Sequence, residues 1–90
     1  MNTIHHIKIK RFQAGRLLGF AEIGLNICLN EQIFENGFTV RNIKLLTGGH
    51  VQFPQAWNSK LAAWEGDVAH PNNPSLRILL EREIWKAYNN

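Results

Sequence analysis

Residues 38–46 read FTVRNIKLL, and the alternation in this string breaks in the middle. Phe38 and Val40 share one parity; Ile43 and Leu45 share the other. Successive side chains of a strand point to opposite faces, so one face collects all four only if an extra residue shifts the phase. A β-bulge at Arg41-Asn42 supplies that residue and predicts one strand with both apolar pairs on the core side.

Working outward, Ile7 and Ile9 alternate with Lys8 and Lys10, the two-residue period of a half-buried first strand ending near Phe12. QAGR places a glycine at a turn, and Leu17, Ala21, Ile23, Leu25, Ile27 and Leu29 then share one parity. The opposite parity carries Glu22, Asn26, Cys28 and Asn30, so the second strand has a less apolar face. The polar stretch NEQIFENG turns the chain, with Asn36-Gly37 as the turn dipeptide. After the third strand, TGG makes another tight turn. HVQF follows as a short fourth strand, with Val51 and Phe53 on one face, that Pro54 ends. Three turns joining four successive strands predict an antiparallel meander.

Residues 54–66 are read as a loop with helical content, because Trp57, Leu61 and Trp64 fall at i, i+4 and i+7 between a Pro and a Gly. Asn73-Pro74 is a helix start, Asn as N-cap and Pro at the first helical position, opening a helix of about fourteen residues. At about 100° per residue, Leu76, Leu80, Ile84, Ala87 and Tyr88 share the face that docks on the sheet, with Leu79 at its margin. The expected fold is α+β: an antiparallel sheet of about four strands with a C-terminal helix packed on it, one domain over residues 1–90.

A content of 44% hydrophobic and 19% charged residues belongs to a folded chain and excludes a disordered one. The single cysteine, Cys28, rules out a disulfide framework or a Cys-based zinc site within one copy and points to a reducing, cytoplasmic setting. No run is long and apolar enough to read as a signal peptide or a membrane span. The formal charge of +3 tilts toward an acidic partner such as nucleic acid.

No phosphate loop, nucleophile elbow or paired-histidine motif occurs, and His5, His6 and His50 are expected to stand apart, so neither catalysis, a metal nor a cofactor is expected. In GDVAHPNNPS, residues 66–75, Asp67, His70 and Pro71 read as a structural joint: Pro71 biases His70 toward extended backbone ahead of the helix. An enzyme built on Asp67 and His70 is the remote alternative. Arg41, Lys44, Lys60, Arg77, Arg82 and Lys86 are the cations expected to meet phosphate if the loop and helix lie beside the third strand. Arg77 and Glu81 also have i, i+4 spacing, a surface pair worth about 0.3–0.5 kcal/mol. Ile78 and Trp85 fall on the outward stripe of the helix beside Arg82 and Lys86. That stripe serves a partner, either a second subunit or nucleic acid, or is covered by residues 54–66 with Trp57 or Trp64 over Trp85.

The strand of alternating Ile and basic residues, FTVRNIKLL at 38–46, the VQFP strand end, DVAHP at 67–71 and the helix ending near a Tyr resemble the stage V sporulation protein G (SpoVG) family. The resemblance runs over most of the chain. It implies an antiparallel sheet with a C-terminal helix and a homodimeric, cytoplasmic nucleic-acid-binding regulator, of DNA or RNA, without catalytic activity. Members usually carry a Ser-Lys-Arg cluster after the proline of the fourth strand and a basic residue before the Asp of the joint. Here those places read Gln55-Ala56-Trp57 and Gly66, and residues 27–37 look like a longer second connection. The alternative is therefore a protein-interaction module of the same fold, with Trp57, Trp64, Ile78 and Trp85 as apolar anchors. A homodimer would also satisfy an unpaired sheet edge; neither a membrane nor a small-molecule substrate is expected.

Overall fold

The computed structural model describes residues 3–58, 63–67 and 71–90, and of 56–58 and 63–67 the backbone alone. The antiparallel meander forms as the alternation predicts, from β1 (Ile4–Ala14), β2 (Leu17–Leu29), β3 (Gln32–Leu46) and β4 (His50–Gln52), in the order β1-β2-β3-β4. Gly15, at φ +59°, takes the first turn, and Gly48 and Gly49, at +82° and +78°, the third, a backbone region that a side chain makes costly.

The bulge lies where the parity conflict puts it. Between the pairs Ala21↔Ile43 and Ile23↔Val40, β2 advances two residues and β3 three. Asn42 takes the strain at φ +60°, a conformation that Asn tolerates better than most residues. Ile43 and Leu45 are thereby fully buried, and Val40 packs against the same core. Phe38, expected in the core, is 56% exposed although it keeps the core-side parity.

The second connection differs from expectation. Asn36-Gly37 does not reverse the chain. The reversal is at Asn30-Glu31, both at positive φ (52° and 63°), between the paired residues Leu29 and Gln32. Two left-handed residues are what a two-residue type I′ hairpin demands, because its twist matches that of the flanking strands. Asn36 is used inside β3 instead, in a wide irregularity where β3 advances from Phe38 to Phe34 while β2 advances from Leu25 to Ile27. Its N–H donates to Asn26 Oδ1 at 3.0 Å. Residues 27–37 are thus paired strand and hairpin tip rather than a long loop.

Residues 54–66 also differ. The described backbone forms a second antiparallel pair, β5 (Gln55–Asn58) with β6 (Ala63–Asp67), in which Trp57 stands opposite Trp64. Helical spacing of three apolar residues is outweighed by a β-favouring Trp pair and by Pro54 and Gly66 at the borders.

Helix α1 (Pro74–Asn89) begins as predicted: Asn73 Oδ1 accepts from the N–H of Ser75 (2.9 Å) and of Leu76 (3.2 Å). It buries Leu80 and Ile84 against Ala21, Ile23, Ile43, Leu45, Val51 and Phe53. Burial of each large apolar side chain stabilises the fold by roughly 1.5–3 kcal/mol. Leu76, assigned to the docking face, is 41% exposed. Arg11 of β1 clamps the far end of the helix, donating to the Tyr88 carbonyl with its guanidinium 4.2 Å over the Tyr88 ring. A cation at a helix C-terminus also meets the negative end of the helix dipole. Among the described residues, no helix is long and apolar enough to cross a membrane.

Candidate nucleic-acid interface

Strand register divides the side chains of the sheet between two faces. The row Ile9–Ala21–Ile43 lies under the helix, and the next row, Lys10–Phe20–Lys44–Gln52, points the other way across all four strands. Because directly paired residues in an antiparallel ladder share a face, Lys8 and Glu22 join that second face. Strand spacing of about 4.8 Å sets the backbones of Lys10 and Lys44 about 10 Å apart on either side of Phe20. Phe12 extends the apolar part, its ring 6.5 Å from that of Phe20 and 53% exposed.

The bulge is what brings Arg41 here. It restarts the alternation after Asn42, so Arg41 and Lys44, three apart in sequence, come out on one side. Two shallow depressions flank Phe20 and Asn42, one bordered by Lys8, Lys10 and Arg41 and one by Lys44, Gln52 and Gln55.

Glu22 is the anion at the centre of this face. His6 Nε2 stands 3.0 Å from Glu22 Oε2, Arg41 Nε 3.1 Å from Oε1, and Lys8 Nζ 3.9 Å from Oε2. The hydrogen bond from His6 is the main reason the Glu22 carboxyl lies below its ordinary pKa; partial desolvation opposes it, and the charges of Lys8 and Arg41 reinforce it. His6 reaches this position across Gly24, where a Cβ would come within 2.3 Å of the imidazole. Lys8, Lys10, Arg41 and Lys44 against Glu22 leave the face with an excess of positive charge around an aromatic pair.

Of the six cations expected on one surface, the five described do not share a face. Arg41 and Lys44 are on the outer sheet face, whereas Arg77, Arg82 and Lys86 are on α1, which covers the opposite face. Arg77 is committed to the protein: its guanidinium is 3.5 Å from Glu81, 3.4 Å from the Val51 carbonyl and 5.0 Å over the Phe53 ring. Arg82 and Lys86 are exposed. Lys60 and His70 lie outside the described residues, as do the side chains of Trp57, Trp64 and Asp67. The backbone of Asp67 pairs with Gln55, and Pro71 is half-buried.

The outward stripe is corrected as well. Ile78 is 65% exposed, but Trp85 is half-buried and packs on the core, edge-to-face with Tyr88 at 5.4 Å. The buried arc of α1 is rotated toward Arg77, Glu81 and Tyr88 and away from Leu76 and Leu79, which brings Trp85 from the outward stripe to the margin of the packed face.

Sequence alone does not mark Lys8, Lys10, Phe12, Phe20 and Glu22 as site residues. Their signal was present as the polar parity of β1 and β2, which gains meaning only once register stacks the two strands on β3. Among the described residues, no group of three His, Cys, Asp or Glu side chains stands close enough to hold a metal ion. Comparison with protein-family models, curated proteins and solved structures finds no match.

Proposed function

We propose that this protein is a non-catalytic nucleic-acid-binding regulator, SpoVG-like and cytoplasmic, that works as a homodimer and meets DNA or RNA with the outer face of its sheet. The observation that carries the reading is the row Lys10–Phe20–Lys44, with Lys8 and Arg41 beside it and Phe12 against Phe20. Cations on a fixed lattice take phosphates, and exposed rings offer unpaired bases a stacking surface. The helix cations are secondary, since α1 packs on the opposite face of the sheet from this row.

Fluorescence anisotropy of labelled random DNA and RNA, single-stranded and duplex, measured over a range of salt, tests it. Lys10→Ala/Lys44→Ala should weaken binding and flatten the plot of log affinity against log salt by about 2, roughly one per lost phosphate contact. Arg82→Ala/Lys86→Ala should change it far less. Absence of binding at low salt, or equal losses in the two variants, refutes the assignment of this face.

A further inference from the structure

The apolar face of the sheet does not stop where the helix stops. β2 and β3 contain 13 and 15 residues, about 45 Å of extended chain. The 16 residues of α1 span about 24 Å. Beyond the pair Ile4↔Leu25, where β1 begins, β2 and β3 continue together as an arm.

Register puts Leu25, Ile27 and Leu29 of β2, with Phe38 and Phe34 of β3, on the same side as Ile23 and Val40. The core face thus continues along the arm, and among the described residues no layer covers its outer part: Leu29 is 61% exposed, Phe38 56% and Phe34 43%, while Leu25 still packs against the core.

At the foot of the arm, β1 and the first half of α1 enclose a groove of about 370 Å³ lined by Ile4, Ile7, Leu76, Leu79 and Leu80, with Thr3 and Glu83 at its rim. Leu76 and Leu79 are 41% and 47% exposed. An apolar cavity of about 150 Å³ takes one benzene ring, so this groove has room for two.

We propose that two copies of the chain dimerise by exchanging arms, each laying Phe34 and its apolar neighbours into the groove of the other. The inference rests on the dimeric reading above and moves the interface away from the sheet edges. One chain carries both the projection and the socket, so a two-fold axis makes two identical contacts and closes the assembly. Leu29, Phe34, Phe38, Leu76 and Leu79 together expose roughly 450 Å² per copy, over half of the ~800 Å² per partner of a stable interface. The edges are poorer candidates. β4 has three residues, and β1 carries Lys8 and Lys10, charges of the kind that guard an edge against strand addition.

Sedimentation velocity of the full chain at micromolar concentration, with far-UV circular dichroism as the folding control, tests the proposal. The wild type should be a dimer. Phe34→Lys and Leu79→Glu, each at an exposed position, should weaken it at least tenfold apiece, as losses at interface anchors do. An equimolar mixture of the two variants should associate again, because it restores one wild-type contact and pairs Lys with Glu at the other. A monomeric wild type overturns the dimer and the exchange together. A dimer that persists in both variants, or variants that remain monomeric when mixed, leaves the dimeric reading standing and overturns the exchange.

Discussion

Glu22→Gln should make the protein bind nucleic acid more tightly. The carboxylate holds Arg41 at 3.1 Å and Lys8 at 3.9 Å, so if the outer face meets nucleic acid as proposed, it competes there with phosphate for two of the cations. Glutamine keeps the size and an oxygen to accept from His6 while removing the charge. If Arg41 then gains one phosphate contact, the slope of log affinity against log salt steepens by about 0.7 on a single strand and 0.9 on a duplex. Over a fourfold change of salt, that is a further loss of about 2.6- to 3.5-fold relative to wild type. Anisotropy titrations of the two proteins at several salt concentrations read the difference, which is largest at low salt. Equal slopes, or weaker binding by the variant throughout, would refute the argument that Glu22 restrains this face. The pH dependence has a definite sign. Because the folded carboxyl lies below its ordinary value of 4.5, its contribution to folding is complete above that value and fades as pH falls through the lower one. Denaturant titrations should therefore find the stability difference between wild type and Glu22→Gln shrinking only at acid pH.

Three further expectations concern the scaffold. Ile84→Ala, at a fully buried position, should cost about 2–5 kcal/mol by urea denaturation. Asn73→Ala removes the cap that accepts from Ser75 and Leu76; it should cost about 1 kcal/mol and lower the melting temperature by about 4–8 °C. At Asn42, φ +60°, Val should cost about 1–2 kcal/mol in thermal or urea unfolding, whereas Gly should be tolerated within a few tenths. Equal effects of Val and Gly would show that backbone conformation is not what Asn42 supplies.

How far the sequence reached depended on whether a signal was local. Asn73-Pro74 announces a helix start through atoms two and three residues away, and the parity conflict in FTVRNIKLL announces a bulge within nine residues. Asn36-Gly37 is the turn dipeptide the sequence offers, yet the reversal falls at Asn30-Glu31, because either pair can adopt positive φ. Strand pairing decided between them, and pairing is set by distant residues. The hairpin of β5 and β6 was hidden for the same reason, Trp57 and Trp64 being cross-strand partners as readily as helical neighbours. The site followed suit. Six cations were visible one by one, but their division between the outer sheet face and the helix is a matter of register, and the grip of Glu22 on Arg41 joins two strands. Half-burial of Trp85 depends on how the helix is rotated against the sheet, with Leu76 and Leu79 turned out, and that rotation is set by the sheet rather than by the helix sequence.

The inserted residue at position 42 also makes the length of β3 unusually consequential. Deleting an exposed residue from a loop ordinarily shortens a connection and leaves its surroundings alone. Deleting Asn42 would instead invert one side of the strand relative to the other: either Ile43 and Leu45 would turn to solvent with Lys44 driven under the helix, or Thr39 and Arg41 would replace Val40 and its neighbours in the interior. An exposed asparagine thus fixes which side chains of β3 enter the core. Variation in this part of the chain should tolerate exchange of side chains far better than any change in their number.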